Sequence, residues 1–301
     1  MTRVLSILIF FLCGIVSEIS AQINILKQKA LTGDVESQYN VGVCYLKGKG
    51  TNKNPSEAVV WFQKAAENGL DIAQYVLGLC YFQGNGVSKD YESSFKWLDK
   101  AAKQNYAAAQ HLIALHYMGG LGVKQDYASA VFWWEKAANQ GYTYAESSLG
   151  TSYYYGQGVA QNYIKAVEWY KKAASKGDGN GEYGLALCYL YGNGIQQDNE
   201  LAISLLKKAA DKGNQFALYV LATHLYTQQS SESLHFLLLS YKHEGTNKSA
   251  RADDALKIAS LYRFGRYGVI QNEQEANKWN SIANQLGSPE AAEIEAWLNQ
   301  Y

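Results

Sequence analysis

The sequence has little that breaks a helix and little that does chemistry. Two prolines occur in 301 residues, so helices can run without interruption. Neither charge sign is in excess, with 27 basic and 27 acidic residues. A general nucleic-acid surface would need a basic surplus, so that class is excluded. Four cysteines are present, but no C-x-x-C and no H-E-x-x-H, so the chain lacks a zinc signature. No G-x-S-x-G elbow and no phosphate-binding P-loop occurs either. The reading is of a non-enzyme without a cofactor. Its longest apolar run, Val4 to Val16, is shorter than the roughly 20 residues of a membrane span.

What the chain has instead is a period. A shift of 36 residues superposes Gly84 on Gly48, Gly120, Gly156 and Gly192, and Gly86 on Gly50, Gly122, Gly158 and Gly194. Tyr81 falls on Tyr45, Tyr117, Tyr153 and Tyr189, and Trp97 on Trp61, Trp133 and Trp169. The pair Ala101-Ala102 recurs in every unit from Ala65-Ala66 to Ala209-Ala210. Such self-similarity marks a solenoid whose units bury their apolar faces only by stacking.

Each unit reads as two helices. Ala73, Leu77 and Tyr81 share a face at i, i+4 and i+8, and Gly78 beside them admits a close neighbour. Gly84 suits a left-handed helix end. Asp90 begins a column of N-caps with Asn54, Asp126, Asn162 and Asp198. Asn54 with Glu57, and Asn272 with Glu275, read as capping boxes. Small residues (Ala58, Ser94, Ala130, Ala166, Ala202) alternate with large ones (Phe62, Leu98, Trp134, Tyr170, Leu206), as interdigitating helices require. The tryptophan column is expected between successive units, and Lys64, Lys100, Lys136, Lys172 and Lys208 on a solvated face.

The pattern A-x-x-x-G-x-x-Y-x-x-G-x-G-V-x-x-D followed by A-x-x-W-x-x-x-A-A-x-x-G resembles the Sel1-like repeat, a relative of the tetratricopeptide repeat. The resemblance implies an all-α superhelical solenoid of about seven helical hairpins, used as an interaction scaffold. Secreted cysteine-rich members carry two cysteines per repeat, stapling its helix pair, and are associated with β-lactam binding or hydrolysis. Here Cys44, Cys80 and Cys188 give one cysteine per unit, in one column that continues through His116 and His224. Equivalent positions in stacked units should lie about 10 Å apart, too far for a disulfide or a shared zinc ion. Free thiols are expected.

In chain order, residues 1–21 read as a cleavable signal peptide: Arg3, the apolar run, then Ile19-Ser20-Ala21 before Gln22. Phe11 and Leu12 are too large for a lipobox at Cys13. Export to the periplasm or beyond follows, with no stable membrane span after cleavage. The solenoid occupies 22–301, opening on a capping helix at Ile23 to Leu31. Regular repeats run over 34–213, the third with a looser turn at Gly119, Gly120 and Gly122. A degenerate unit at 214–245, a polar connector, a recovered unit at 250–287 and a capping helix at 288–301 complete it.

The expected site is a groove lined by first helices. One column reads Tyr39, Tyr75, His111, Ser147, Tyr183 and Tyr219. Leu79 and Leu187 lie a turn on; Phe82, Met118, Tyr154, Tyr155, Leu190, Tyr191 and Tyr226 lie beyond. Tyrosines supply contact area and one hydroxyl each at little entropic cost, and some of these rings are also expected to pack between repeats. A protein or peptide partner is the first reading, in envelope regulation or assembly or in host contact. The rivals are a β-lactam- or peptidoglycan-directed hydrolase and a module binding an envelope glycan.

Overall fold

The computed structural model describes residues 22–298, and all regular elements among them are helices. An opening helix α1 (22–31) is followed by α2 (Val35–Lys47), α3 (Pro55–Glu67), α4 (Asp71–Gln83), α5 (Tyr91–Lys103), α6 (Ala107–Gly119), α7 (Tyr127–Asn139) and α8 (Thr143–Tyr155). Then come α9 (Tyr163–Ser175), α10 (Gly179–Tyr191), α11 (Asn199–Asp211), α12 (Gln215–Thr227), α13 (Ser233–Lys242), α14 (Lys248–Phe264), α15 (Glu273–Gln285) and α16 (Pro289–Leu298). The chain divides into two compact units between Gln161 and Asn162, and the signal-peptide reading of 1–21 lies outside the described residues.

The hairpin turn repeats down to its hydrogen bonds. Gly48, Gly84, Gly120, Gly156 and Gly192 all end first helices with φ between 65° and 74°, the left-handed region where a Cβ is costly. Asn54, Asp90, Asp126, Asn162 and Asp198 each cap the next helix through their side chains. The capping boxes form only by half. Asn54 Oδ1 accepts from Glu57 N–H at 3.1 Å, but Glu57 Oε1 accepts from Trp61 Nε1 at 3.0 Å rather than from the cap. The cap's N–H has a better-placed acceptor, the carbonyl of the column tyrosine nine residues earlier. Asn54 donates to Tyr45 at 2.8 Å, Asp90 to Tyr81 at 3.0 Å, Asp126 to Tyr117 at 2.9 Å and Asp198 to Tyr189 at 3.1 Å. At Asn272 the N–H likewise donates to Tyr262, 2.9 Å away.

The third turn is not looser than the rest. α6 has the same 13 residues as its neighbours, with Gly119 as its last helical residue and Gly120 in the left-handed position. Asn105 stands where other units have glycine and adopts φ 70°. Its Oδ1 accepts from Gln110 and Gln140 side chains, which ties the strained residue down.

Packing inside a unit uses the missing Cβ. A methyl at Gly78 would lie 2.6 Å from Leu98 Cγ, and one at Gly42 would lie 2.6 Å from the Phe62 ring. Phe62, Leu98 and Leu206 are fully enclosed, and Trp134 and Tyr170 nearly so. Trp97 packs onto the cluster around Phe62 and Leu77, and Trp133 onto the cluster around Leu98 and Ile113. Both rings keep an open side, and the lysine column covers it. Lys64, Lys100 and Lys172 ammoniums sit 4.3, 4.2 and 3.9 Å from the centroids of Trp61, Trp97 and Trp169, at an i, i+3 spacing that favours cation–π contact.

In the second unit the degenerate repeat shows as lengths. α13 has 10 residues and α14 has 17, against 13 in each helix from α2 to α12. α14 starts a turn early because Asn247 caps it, its Oδ1 accepting from Ala250 N–H at 2.9 Å.

Candidate binding surface

Cys44, Cys80 and Cys188 are free thiols; burial pushes Cys80 up to about 11 and Cys188 up to about 12, so neither is a ready nucleophile. His116 is buried by aromatic rings, its Nε2 3.2 Å from Ser94 Oγ and its Nδ1 2.6 Å from the Leu121 carbonyl oxygen. That makes it a structural histidine whose protonation is disfavoured by burial. The Ser-x-x-Lys spacing of some hydrolases occurs at Ser93–Lys96 and Ser204–Lys207. Ser93 Oγ donates to its own N-cap Asp90, while Lys96 pairs with Glu92 and Lys207 with Glu232. Neither lysine is a buried base. Among the described residues no group of three or more His, Cys, Asp or Glu could hold a metal ion.

The aromatic column divides into packed and open members. In the first unit Tyr39, Tyr75, Leu79, Phe82, His111 and Tyr154 are half-buried. Tyr39 leans on Phe62 at a centroid distance of 5.7 Å, and Phe82 meets Tyr91 at 5.4 Å. Tyr155 is 57 % exposed and rests edge-on against Tyr154 at 4.9 Å. In the second unit Tyr183, Tyr219 and Tyr226 are half-buried and Tyr191 is 65 % exposed. Leu187 and Leu190 belong to the core instead of the surface.

Further rings come from the N-caps of α6 and α8 and from the first turns of α8 and α12. Tyr106 stands 5.0 Å from Tyr75, and Tyr142 and Tyr144 stand 5.4 and 6.2 Å from His111. Phe216, 59 % exposed, faces Tyr183 at 6.2 Å. The connector does shape a cleft in the second unit, of about 520 Å³, bounded by Phe216, Tyr219, Thr246, Asn247 and Asp253.

A second repeating feature also escaped the sequence reading. Gln74, 5 % exposed, donates through Nε2 to the Ala66 carbonyl at the end of the preceding helix and accepts from Gln104 at 2.8 Å. Gln110 does the same with Ala102 and Gln140, and Gln38 with Ala30 and Asn68. In the second unit the pair becomes ionic, with Lys212 Nζ 2.6 Å from the buried Glu182 carboxylate. Lys212→Gln alone should destabilise the chain by about 2 kcal/mol, since it leaves a buried charge without its partner. Adding Glu182→Gln should recover all but about 1 kcal/mol of that by rebuilding the amide pair of the earlier repeats. Urea unfolding of the two variants checks this.

The arrangement is that of an α/α repeat solenoid with an aromatic first-helix surface and no assembled catalytic group among the described residues. A Sel1 repeat profile matches residues 35–70, 71–106, 107–142, 143–178, 180–214 and 252–288. The chain belongs to the Sel1 repeat family, an architecture consistent with a scaffold for protein interaction. It is similar to a protective antigen of uropathogenic Escherichia coli with an SLR fold, at 32 % identity and TM-score 0.76. That match covers 91 % of this chain but 58 % of the antigen, so the chain spans little more than half its length. A Sel1 repeat protein from Oxalobacter formigenes is 29 % identical at TM-score 0.64, covering 89 % of this chain and 92 % of the other. No curated protein matches. Among the described residues no helix is long and apolar enough to cross a membrane.

Proposed function

We propose that the chain is an exported, non-catalytic scaffold whose first helices bind an extended segment of a protein partner in the envelope or outside the cell. The observation that carries this reading is the open rings on first helices, Tyr144 and Tyr155 in the first unit and Tyr191 and Phe216 in the second. Large exposed aromatics cost little entropy to fix and gain much on burial. Export rests on the basic start, apolar run and small-residue site of residues 1–21.

Replacing Tyr155 and Tyr191 by serine tests the reading. Both rings are more than half exposed, so the melting temperature should stay within about 2 °C of the parent, since surface changes cost little. Capture of the native partner from the envelope fraction should fall at least tenfold. Unchanged capture would contradict the reading. So would hydrolysis of a chromogenic β-lactam by the purified parent, which would favour the enzymatic alternative.

A further inference from the structure

The last repeat departs from the others at one buried position. Eight residues after each second-helix cap, the earlier repeats carry a large enclosed side chain: Phe62, Leu98, Trp134, Tyr170 and Leu206. The same count from the Asn272 cap of α15 falls on Asn280, which is 2 % exposed. Its Nδ2 donates to the Ala291 carbonyl of α16 at 3.0 Å, which fixes the amide's orientation and leaves an acceptor as the remaining polar atom. That atom, Oδ1, is buried without a hydrogen bond. Folded proteins keep few such groups, because each loses its hydration and gains nothing in return.

A cavity of about 450 Å³ opens beside Asn280, walled by Tyr226, Leu256, Ala259, Phe264 and Ile294. Leu256 stands nine residues before the Gly265 helix end, as Tyr75 stands before Gly84, so the cavity lies on the first-helix face of the second unit. Most of its other polar groups are engaged. Tyr226 donates to Ser260 Oγ at 3.3 Å, and the Lys257 ammonium pairs with Asp253. Arg263 differs. Its Nη2 donates to the neutral Asn277 side chain at 3.1 Å, and among the described residues no carboxylate pairs with it.

The cavity therefore offers apolar walls, one buried acceptor and one guanidinium without a counter-charge. An alkyl chain would leave Oδ1 unpaired, and a sugar would bring more hydroxyls than these walls can satisfy. A phenylalanine ring would fill the space and donate nothing. An indole has an apolar body and a single donor N–H, so one acceptor meets its whole polar requirement. The guanidinium calls for a carboxylate close by.

We infer that this cavity is the anchor pocket of the second unit: it takes a tryptophan side chain of the partner's segment, the indole N–H donating to Asn280 Oδ1 and an adjacent acidic residue of the segment pairing with Arg263. This deepens the peptide-binding reading above and rests on it. Aromatic anchors seated in pockets carry much of the affinity of such interfaces.

The test is a fluorescence-anisotropy titration of the full mature chain with a dye-labelled peptide amide, Gly-Ser-Trp-Glu-Ser-Gly. Saturable binding is expected, and phenylalanine in place of its tryptophan should weaken it about tenfold by removing the donor. Asn280→Leu restores the residue type of the earlier repeats, so the melting temperature should hold or rise while affinity falls at least tenfold. Arg263→Gln should cost about tenfold toward this peptide and nothing toward one with glutamine for its glutamate. Absence of binding by the parent overturns the proposal, as does equal affinity of either variant or of the phenylalanine peptide. Tighter binding of N-acetyltryptophan than of the peptide would overturn it in favour of a small molecule. If Tyr155→Ser/Tyr191→Ser loses the native partner while Asn280→Leu captures it as the parent does, the scaffold reading stands and this one fails.

Discussion

Gly122→Ala should cost about 3–4 kcal/mol of stability, while Gly69→Ala should cost about 1. Both glycines are left-handed, with φ 66° and φ 91°. A methyl at Gly69 would have nothing within 4 Å, so the backbone strain is its whole cost. A methyl at Gly122 would lie 2.3 Å from the carbonyl carbon and oxygen of Tyr91, the first residue of the preceding unit's second helix. Neither backbone can yield without separating two repeats. Gly86 stands in the same way over Pro55, Gly158 over Tyr127 and Gly194 over Tyr163. In these four turns the second glycine is therefore the point where one repeat seats on the last, and the first only ends a helix. Urea unfolding of Gly122→Ala and Gly69→Ala separates the two effects; equal losses would mean the contact is not what joins the units.

Asp254→Ala should stabilise the chain by about 1–3 kcal/mol at pH 7 and flatten its response to acid. Asp254 is fully enclosed on α14, and neither carboxylate oxygen has a hydrogen bond. Burial pushes it up to about 6; Ser240 and Lys257 pull down, and Asp253 pushes up. Ser240 Oγ acts from nearby without reaching a bond of proper geometry. Because the folded value lies above the ordinary 3.8, the folded state holds the proton more tightly than the unfolded chain. Its contribution is complete below about pH 4 and is lost as the pH rises through about 6, so the native chain should weaken across that window. In register with the earlier repeats this position holds Ala73, Ala109, Ala145 and Ala217, and Ser240 stands where they have the first alanine of the pair. Alanine therefore fits the packing. Melting curves from pH 4 to pH 8 should show the native chain falling relative to Asp254→Ala, and parallel curves would contradict this.

The two cases show why some features were legible and others were not. Helix ends, caps and the small–large alternation depend on residues within a turn or two, and a strict period exposes them in one dimension. The half-formed capping boxes failed because Tyr45 and Tyr262 supply competing carbonyls nine and ten residues away. Gly122 over Tyr91 and Gln74 with Gln104 join positions about 30 residues apart, where the pattern shows recurrence without showing contact. Asp254 was visible as a mismatch with its alanine column, but its lack of partners is a matter of three dimensions. The candidate surface was half legible. First-helix columns contain Tyr75, Tyr155 and Tyr191, whereas Tyr106 and Tyr142 stand at N-caps and Phe216 in the first turn of α12, outside those columns, and Leu187 and Leu190 are buried.

Site-specific crosslinking tests the scaffold account most directly. A photoreactive phenylalanine analogue would replace, one at a time, the exposed first-helix residues Tyr144, Tyr155 and Tyr191 and the exposed second-helix residues Val60, Phe132 and Ile164. On irradiation in the native envelope fraction, the first-helix positions should form a protease-sensitive adduct with one protein partner and the second-helix positions should form none. Adducts from the second helices alone would place the partner on the opposite face and contradict the account.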